Sequence, residues 1–286
     1  MKIAIASGKG GTGKSTVATN LSYLLSKKYD NVALLDCDVE EPNCHIFLKP
    51  EFNYVEDSFV TVPQLDITKC VGCGKCANVC EYNAIAFAKG KVLIFDDLCH
   101  GCESCILVCP NNALTKTGRK VGVVESGIVG NLKFIQGKSR IGEAMSPPLI
   151  KAVKNLGDKI YSDSIQILDC PPGTSCPMIT AIDGVDFVIM VTEPTPFGLH
   201  DLDLAVEVVK KIGLPFGVVI NRSEVGNTLI EDWAKDKNIN ILAKIPNDRK
   251  VAECYSKGCL ILEEMSEFQK YFEPLLEICK GGRKWW

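Results

Sequence analysis

The sequence lacks the features that most quickly sort a chain into a class. Neither sign of charge dominates: 32 Lys and Arg face 35 Asp and Glu, for a formal charge of −3. Phosphate polymers are bound by cationic surfaces, so this balance gives no reason to expect nucleic acid as a partner. A spanning helix needs about 20 consecutive apolar residues, and no run approaches that, so stable membrane insertion is not expected. The opening MKIAIASGKGG leads straight into a strand and a glycine-rich loop, which is not the pattern of a signal peptide. With 46% hydrophobic and 23% charged residues, the 286-residue chain reads as one large or two modest globular domains. Cysteine is what the sequence has in excess, with 15. Disulfide scaffolds are usually short and secreted, whereas eight of these cysteines fall at regular spacing between Cys70 and Cys109. That pattern predicts metal ligation in a reducing compartment, most simply the cytoplasm.

Two sequence grammars alternate along the chain. Apolar runs at 2–7, 32–35, 164–169, 186–192, 215–221 and 241–245 predict buried strands. Helical patterns fall at 14–28, 147–156, 198–212, 226–237 and 266–279. Strands alternating with helices imply an α/β fold, a mostly parallel sheet with helices on both faces. The segment 60–117 breaks this rhythm with an internal repeat: CVGCGKCANVCEYNAI (70–85) is echoed by CHGCESCILVCPNNAL (99–114). A hairpin turn is expected around Gly90 between the copies. The α/β grammar resumes afterwards, so the expected organisation is one α/β domain at 1–59 and 118–286 with a small α+β module inserted at 60–117. Cluster ligation would supply stability that so small a core cannot.

GKGGTGKST (8–16) follows a strand and opens a helix. Its backbone N–H groups, from Gly8, Lys9, Gly10, Gly11, Thr12, Gly13, Lys14, Ser15 and Thr16, are candidates to cradle ATP or ADP phosphates. Lys14 is expected on the β- and γ-phosphates and the Ser15 hydroxyl on Mg²⁺. KGGTGKST resembles the deviant Walker A motif of the MinD, ParA, nitrogenase iron protein and Mrp/Nbp35 group. The resemblance implies that Lys9 reaches across a nucleotide-sandwich dimer, formed with an identical chain or a paralogue, to the partner's ATP. LLDCDVEEPN (34–43) resembles that group's switch I, which makes Asp38 the residue that orients attacking water near Mg²⁺. ILDCPPG (167–173) resembles Walker B running into switch II, with Asp169 holding Mg²⁺ and Gly173 sensing the γ-phosphate. VVINR (218–222) and IPND (245–248) resemble its late nucleoside-binding motifs, implying contacts from Asn221, Pro246 and Asp248. The matching motifs run from Gly8 to Asp248, and the whole chain resembles MinD-superfamily ATPases with an inserted ferredoxin domain.

C-x2-C-x2-C-x3-C occurs twice, at Cys70, Cys73, Cys76, Cys80 and at Cys99, Cys102, Cys105, Cys109. Zinc sites usually take two cysteine pairs separated by a longer gap, while runs this tight suit the corners of a [4Fe–4S] cubane. The runs resemble two-cluster ferredoxins, in which the fourth cysteine of each run serves the other cluster. That implies one cluster on Cys70, Cys73, Cys76 and Cys109, and another on Cys99, Cys102, Cys105 and Cys80. The second run ends in the expected Cys-Pro; the first has Glu81 instead. Cys176 sits where the nitrogenase iron protein has a cluster ligand, but no second ligand accompanies it, and a small buried residue is expected. Cys170 is expected to be buried. Cys37, Cys44, Cys254, Cys259 and Cys279 read as ordinary core or surface thiols, and His100 as a solvated loop residue. The tail GGRKWW is expected to be exposed and not a membrane anchor. The functional expectation is an ATPase coupling a dimer switch to electron transfer through two clusters, toward a redox partner. The alternative is an ATP-dependent cluster or metallocofactor carrier serving a cluster-acceptor protein, although the CPxC motif of Mrp/Nbp35 carriers is absent.

Overall fold

In a computed structural model, which describes residues 1–224 and 226–279, the chain folds around one nine-stranded sheet. Its strands are β1 (Lys2–Ala6), β2 (Val32–Asp36), β3 (Glu51–Leu65), β6 (Leu114–Val129), β7 (Leu132–Ser139), β8 (Ile165–Asp169), β9 (Phe187–Thr192), β10 (Phe216–Ser223) and β11 (Ile241–Pro246). Their order is β11-β10-β9-β1-β8-β2-β7-β6-β3. The strands from β11 to β7 are all parallel, and β6 and β3 continue the sheet antiparallel.

Successive side chains on a strand point to opposite faces, and here the two faces receive different residues. Ile3 and Ile5 of β1 pack with α1 (Lys14–Ser26) and α11 (Gln269–Cys279) in one core, through Val17, Leu21, Leu25, Phe272 and Leu275. Ala4 and Ala6 face the other core, with α5 (Pro147–Ile160), α6 (Cys176–Ile182) and α7 (Pro196–Ile212). Burial on both sides explains why these strands read as continuous apolar runs. The small helices α2 (Cys44–Leu48), α8 (Leu229–Asp236), α9 (Arg249–Ser256) and α10 (Ile261–Glu264) complete the layers. No helix among the described residues is long and apolar enough to cross a membrane.

β3 and β6 are the exception to the parallel pattern, and neither they nor β7 was expected from sequence. Residues 51–57 are exposed, so no single buried face marks them as strand; cross-strand pairing makes them one. β6 meets β7 only from Gly122 to Val129, whereas β3 and β6 stay paired out to Leu65 and Leu114. The ribbon of Val60–Leu65 and Leu114–Arg119 therefore runs on beyond β7 and carries the cysteine segment at its tip. That segment holds α3 (Lys75–Asn78), α4 (Ser104–Leu107) and a hairpin of β4 (Ile85–Ala88) and β5 (Lys91–Ile94). Lys89 and Gly90 form its two-residue turn, both at positive φ, as type I′ geometry requires.

Candidate functional site

The glycine-rich loop lies between β1 and α1, at the carboxyl ends of the parallel strands, where the sheet can present a ligand to backbone amides. Two glycines are dictated by space. A Cβ on Gly8 would fall 2.0 Å from the Asp201 carbonyl oxygen of α7. Gly13, at φ 88°, would direct one to 2.0 Å from Asn221 Nδ2. That Asn221 amide donates to the Thr12 carbonyl at 2.8 Å, so Asn221 braces the loop itself. Pro246 ends β11, and Asp248 caps α9 by accepting from Lys250 N–H at 2.8 Å.

Lys14 is buried and its Nζ lies 3.3 Å from Asp169 Oδ1 and 3.4 Å from Asp38 Oδ2. Burial alone would lower its pKa, but the carboxylates of Asp169 and Asp38 outweigh that and hold the ammonium charged. Asp36, fully buried at the end of β2, is pushed up to about 7 by desolvation and then by the neighbouring Asp169 charge. It accepts backbone N–H bonds from Asp38, Asn43 and Cys44, each at 3.1 Å, which fixes the loop after β2. Burial likewise raises Asp38 to about 6, against the pull of Lys14. Ser15 is buried at the start of α1, and Gly173 donates its N–H to the Ser7 carbonyl at 2.9 Å, tying the segment after β8 to the loop.

Sequence reasoning missed two participants. Cys44, read as an ordinary thiol, directs its S–H at Asp169 Oδ2 at 3.2 Å. Asp36, Cys44 and Asp169 form the one group of His, Cys, Asp or Glu among the described residues with ligand atoms all within 4.8 Å of one another. Glu193, just after β9, binds Lys9 Nζ at 2.5 Å and Arg222 at 2.9 Å. Its carboxyl is partly buried, yet these two cations hold its pKa below the usual range. Lys9 is thus paired within its own chain. No residue spacing announces either contact, because both join elements far apart in sequence.

No disulfide joins any of the 15 cysteines. Cys70, Cys73, Cys76 and Cys109 line one small cavity, with Leu65, Ala113 and Leu114 at the ribbon tip. Cys80, Cys99, Cys102 and Cys105 line another, with Thr61, Val62 and Pro63 nearer the sheet. Burial raises the thiol pKa values of Cys76, Cys99 and Cys105, the last to about 11. Desolvation would raise Cys109, but the backbone N–H groups from Asn111 to Leu114 together outweigh it and lower its pKa. His100 is exposed and stacks on Tyr82 at 3.8 Å.

Cys170 is buried as expected, its thiol pushed up to about 12 by desolvation. Cys176 corrects the expectation of a buried residue: it opens α6 with its side chain exposed. The first turn of α6 follows the extended Ser175 at the loop after β8, so its leading residue faces outward. The expected exposed tail, from Lys280 onward, lies outside the described residues.

Residues 3–261 match the model of the CobQ/CobB/MinD/ParA nucleotide binding domain. An uncharacterized protein of Methanocaldococcus jannaschii is 33% identical over 276 residues, covering 96% of each chain. The iron-sulfur cluster carrier protein of Pyrococcus horikoshii is 29% identical over 294 residues, covering 96% of this chain and 84% of that one. Among solved structures, the septum site-determining protein MinD of P. horikoshii, complexed with Mg-ADP, superposes with a TM-score of 0.61 at 20% identity. That match covers 98% of this chain and 96% of the other.

Proposed function

The chain belongs to the CobQ/CobB/MinD/ParA family of P-loop ATPases, and from that premise we propose that it couples a nucleotide-dependent dimer switch to electron transfer through two [4Fe–4S] clusters. The observation that carries this reading is the convergence of eight cysteines into two fourfold-lined cavities on a ribbon of the ATPase's own sheet. A single tetrahedral zinc, with Zn–S near 2.3 Å, draws its sulfurs to roughly 3.8 Å from one another. Neither cysteine set is gathered within 4.8 Å, which favours a group larger than one ion. When bound, each cluster supplies a site that takes up and releases one electron.

On this reading the amides of Gly8–Thr16 hold the phosphates, and Lys14 exchanges its carboxylate partners for the β- and γ-phosphates. Removing Lys14 from between them frees Asp38 and Asp169. Asp169 and Ser15 would hold Mg²⁺ there, and Asp38 would orient the attacking water. Lys9 leaves Glu193 for the nucleotide of a facing chain. Contacts from the loop after β2 to the ribbon support this coupling, and the loop after β8 is tied through α6 to α5, which packs on β3 and β6. Ser139 donates its N–H to the Val39 carbonyl at 2.9 Å, next to Asp38. Four residues on, Glu143 pairs with Arg119 at the ribbon root and with Arg140, which in turn binds Asp97 in the cysteine segment. Lys154 of α5 caps the carbonyls of Thr180, Ala181 and Asp183, fastening α6 to the same helix.

The test is single-turnover oxidation of the reduced protein by candidate acceptors with ATP, ADP and a non-hydrolysable analogue. Rates indifferent to nucleotide would sink the coupling. A second reading, an ATP-dependent cluster carrier, is favoured by the name of the P. horikoshii relative and by the exposed Cys73 and Cys102 at the two cavities. Clusters that pass intact to an apo-protein support the carrier; clusters that survive a chelator while cycling redox state support electron transfer.

A further inference from the structure

The two ends of the cysteine segment carry opposite charge. From Ile67 to Cys80, and from Ala84 to Phe95, the only charged side chains apart from any thiolates are Lys69, Lys75, Lys89 and Lys91. All four are exposed. Lys69 meets Asp66 at 3.0 Å, while Lys75, Lys89 and Lys91 have no carboxylate partner among the described residues. Packing gathers them on one rim. A Cβ on Gly72 would lie 2.8 Å from the Gly90 carbonyl, and one on Gly74 would lie 3.0 Å from the Phe87 ring. The Cys70–Cys76 loop is therefore seated on the turn that carries Lys89 and Lys91. The rim also exposes Ile67 and Val71, at 78% and 65%, beside the exposed Cys73.

The other end, around Cys99, Cys102 and Cys105, carries Glu81, Asp96, Asp97 and Glu103. It faces the ATPase body: Asp97 binds Arg140, and a Cβ on Gly101 would lie 2.7 Å from Val60 Cγ2. The basic end is thus the one turned outward, at the ribbon tip, with exposed apolar side chains among the lysines. A positive rim with three unpaired lysines and an apolar centre matches a partner surface that is acidic around an apolar patch, and opposite charge raises the rate of productive encounter.

We propose that this rim docks an acidic, one-electron carrier protein against the cavity lined by Cys70, Cys73, Cys76 and Cys109. The reduced carrier gives up one electron, the cluster there gains it, and no bond is made or broken. This docking site rests on the two-cluster reading above. The cavity nearer the sheet, backed by Thr61, Val62 and Pro63, is then the inner station, facing the nucleotide-binding body.

The experiment uses the full chain with reconstituted clusters and measures its affinity for an acidic flavodoxin by titration calorimetry across a salt series. The variant is K75A/K89A/K91A, with K27A/K28A/K235A as a charge-matched control at remote exposed sites. The rim variant is expected to bind about tenfold more weakly and with a flatter salt dependence, and the control to bind within twofold of wild type. Unchanged flavodoxin affinity in the rim variant at full iron content overturns the proposal. So does a wild-type preference for basic cytochrome c, single-stranded DNA or anionic vesicles over the flavodoxin. Iron content well below about eight per chain would instead overturn the two-cluster reading, and the docking site with it.

Discussion

Breaking the ion pair between Arg119 and Glu143 tests how firmly the ribbon is fixed to the ATPase body. The two side chains are 8% and 1% exposed, so neither charge can recover much hydration if its partner is removed. Arg119 also has an Nε–H without a hydrogen-bond partner, which leaves it dependent on Glu143. Removing one side of a buried pair costs about 3–5 kcal/mol, because the survivor is left buried and uncompensated. Two features of the site reduce that figure. Asp97 stands 4.0 Å from Arg119, and Arg140, the second cation on Glu143, is 36% exposed and can rehydrate. Glu143→Gln should therefore cost about 2–4 kcal/mol by urea denaturation, with the loss of amide-exchange protection concentrated in β6 and β7. Replacing both partners, as in Arg119→Met/Glu143→Leu, removes the stranded charge and should return stability to within about 1–2 kcal/mol of wild type. Asp97→Ala removes a largely exposed partner and should cost less than about 1 kcal/mol. A Glu143→Gln cost below that of Asp97→Ala, or a double variant as unstable as Glu143→Gln, would refute the assignment of this pair as the buried anchor.

Three further outcomes are expected. Asp36 has a folded pKa near 7 against about 3.9 unfolded, so between these values the native state binds the extra proton. Nucleotide-free protein should accordingly lose stability as pH rises from about 4 to 7, by no more than about 4 kcal/mol from this group, and Asp36→Asn should flatten the urea midpoint over that range. Glu143 and Glu193, whose pKa values are depressed, act in the opposite sense: their contributions are present above the usual glutamate pKa and are lost as pH falls below it. Within the phosphate loop, Gly8→Ala meets the fixed Asp201 carbonyl and should destabilise by several kcal/mol in thermal melts, whereas Gly10→Ala, with open space around it, should be nearly neutral. Cys44→Ala removes the S–H donor from Asp169 and should weaken Mg²⁺-dependent ADP binding by about 2–10-fold, with Cys44→Ser restoring most of it; equal affinity in all three proteins would remove Cys44 from the site.

The sequence alone determined whatever local pattern or chain order encodes. Six of the seven parallel strands announced themselves because burial on both faces makes them apolar runs, while β7, interrupted by Lys133, Gln136 and Gly137, did not; the phosphate loop did because its glycines and Lys14 must be contiguous to wrap a helix N-terminus. The two cysteine runs are likewise local repeats. Only tertiary structure brought out Cys44 against Asp169, Lys9 against Glu193 and Asn221 against Thr12, pairs joined by the sheet across long stretches of chain. The ribbon belongs to the same class: residues 51–57 of β3 are exposed, and their pairing with β6, not a buried face, makes them strand. Their extension past β7 sets the cysteine segment on a stalk anchored by Arg119 and Glu143. The charge separation between its two ends appears only when the Lys89–Gly90 turn is folded against the Cys70–Cys76 loop, since local spacing does not reveal which loops will share a surface.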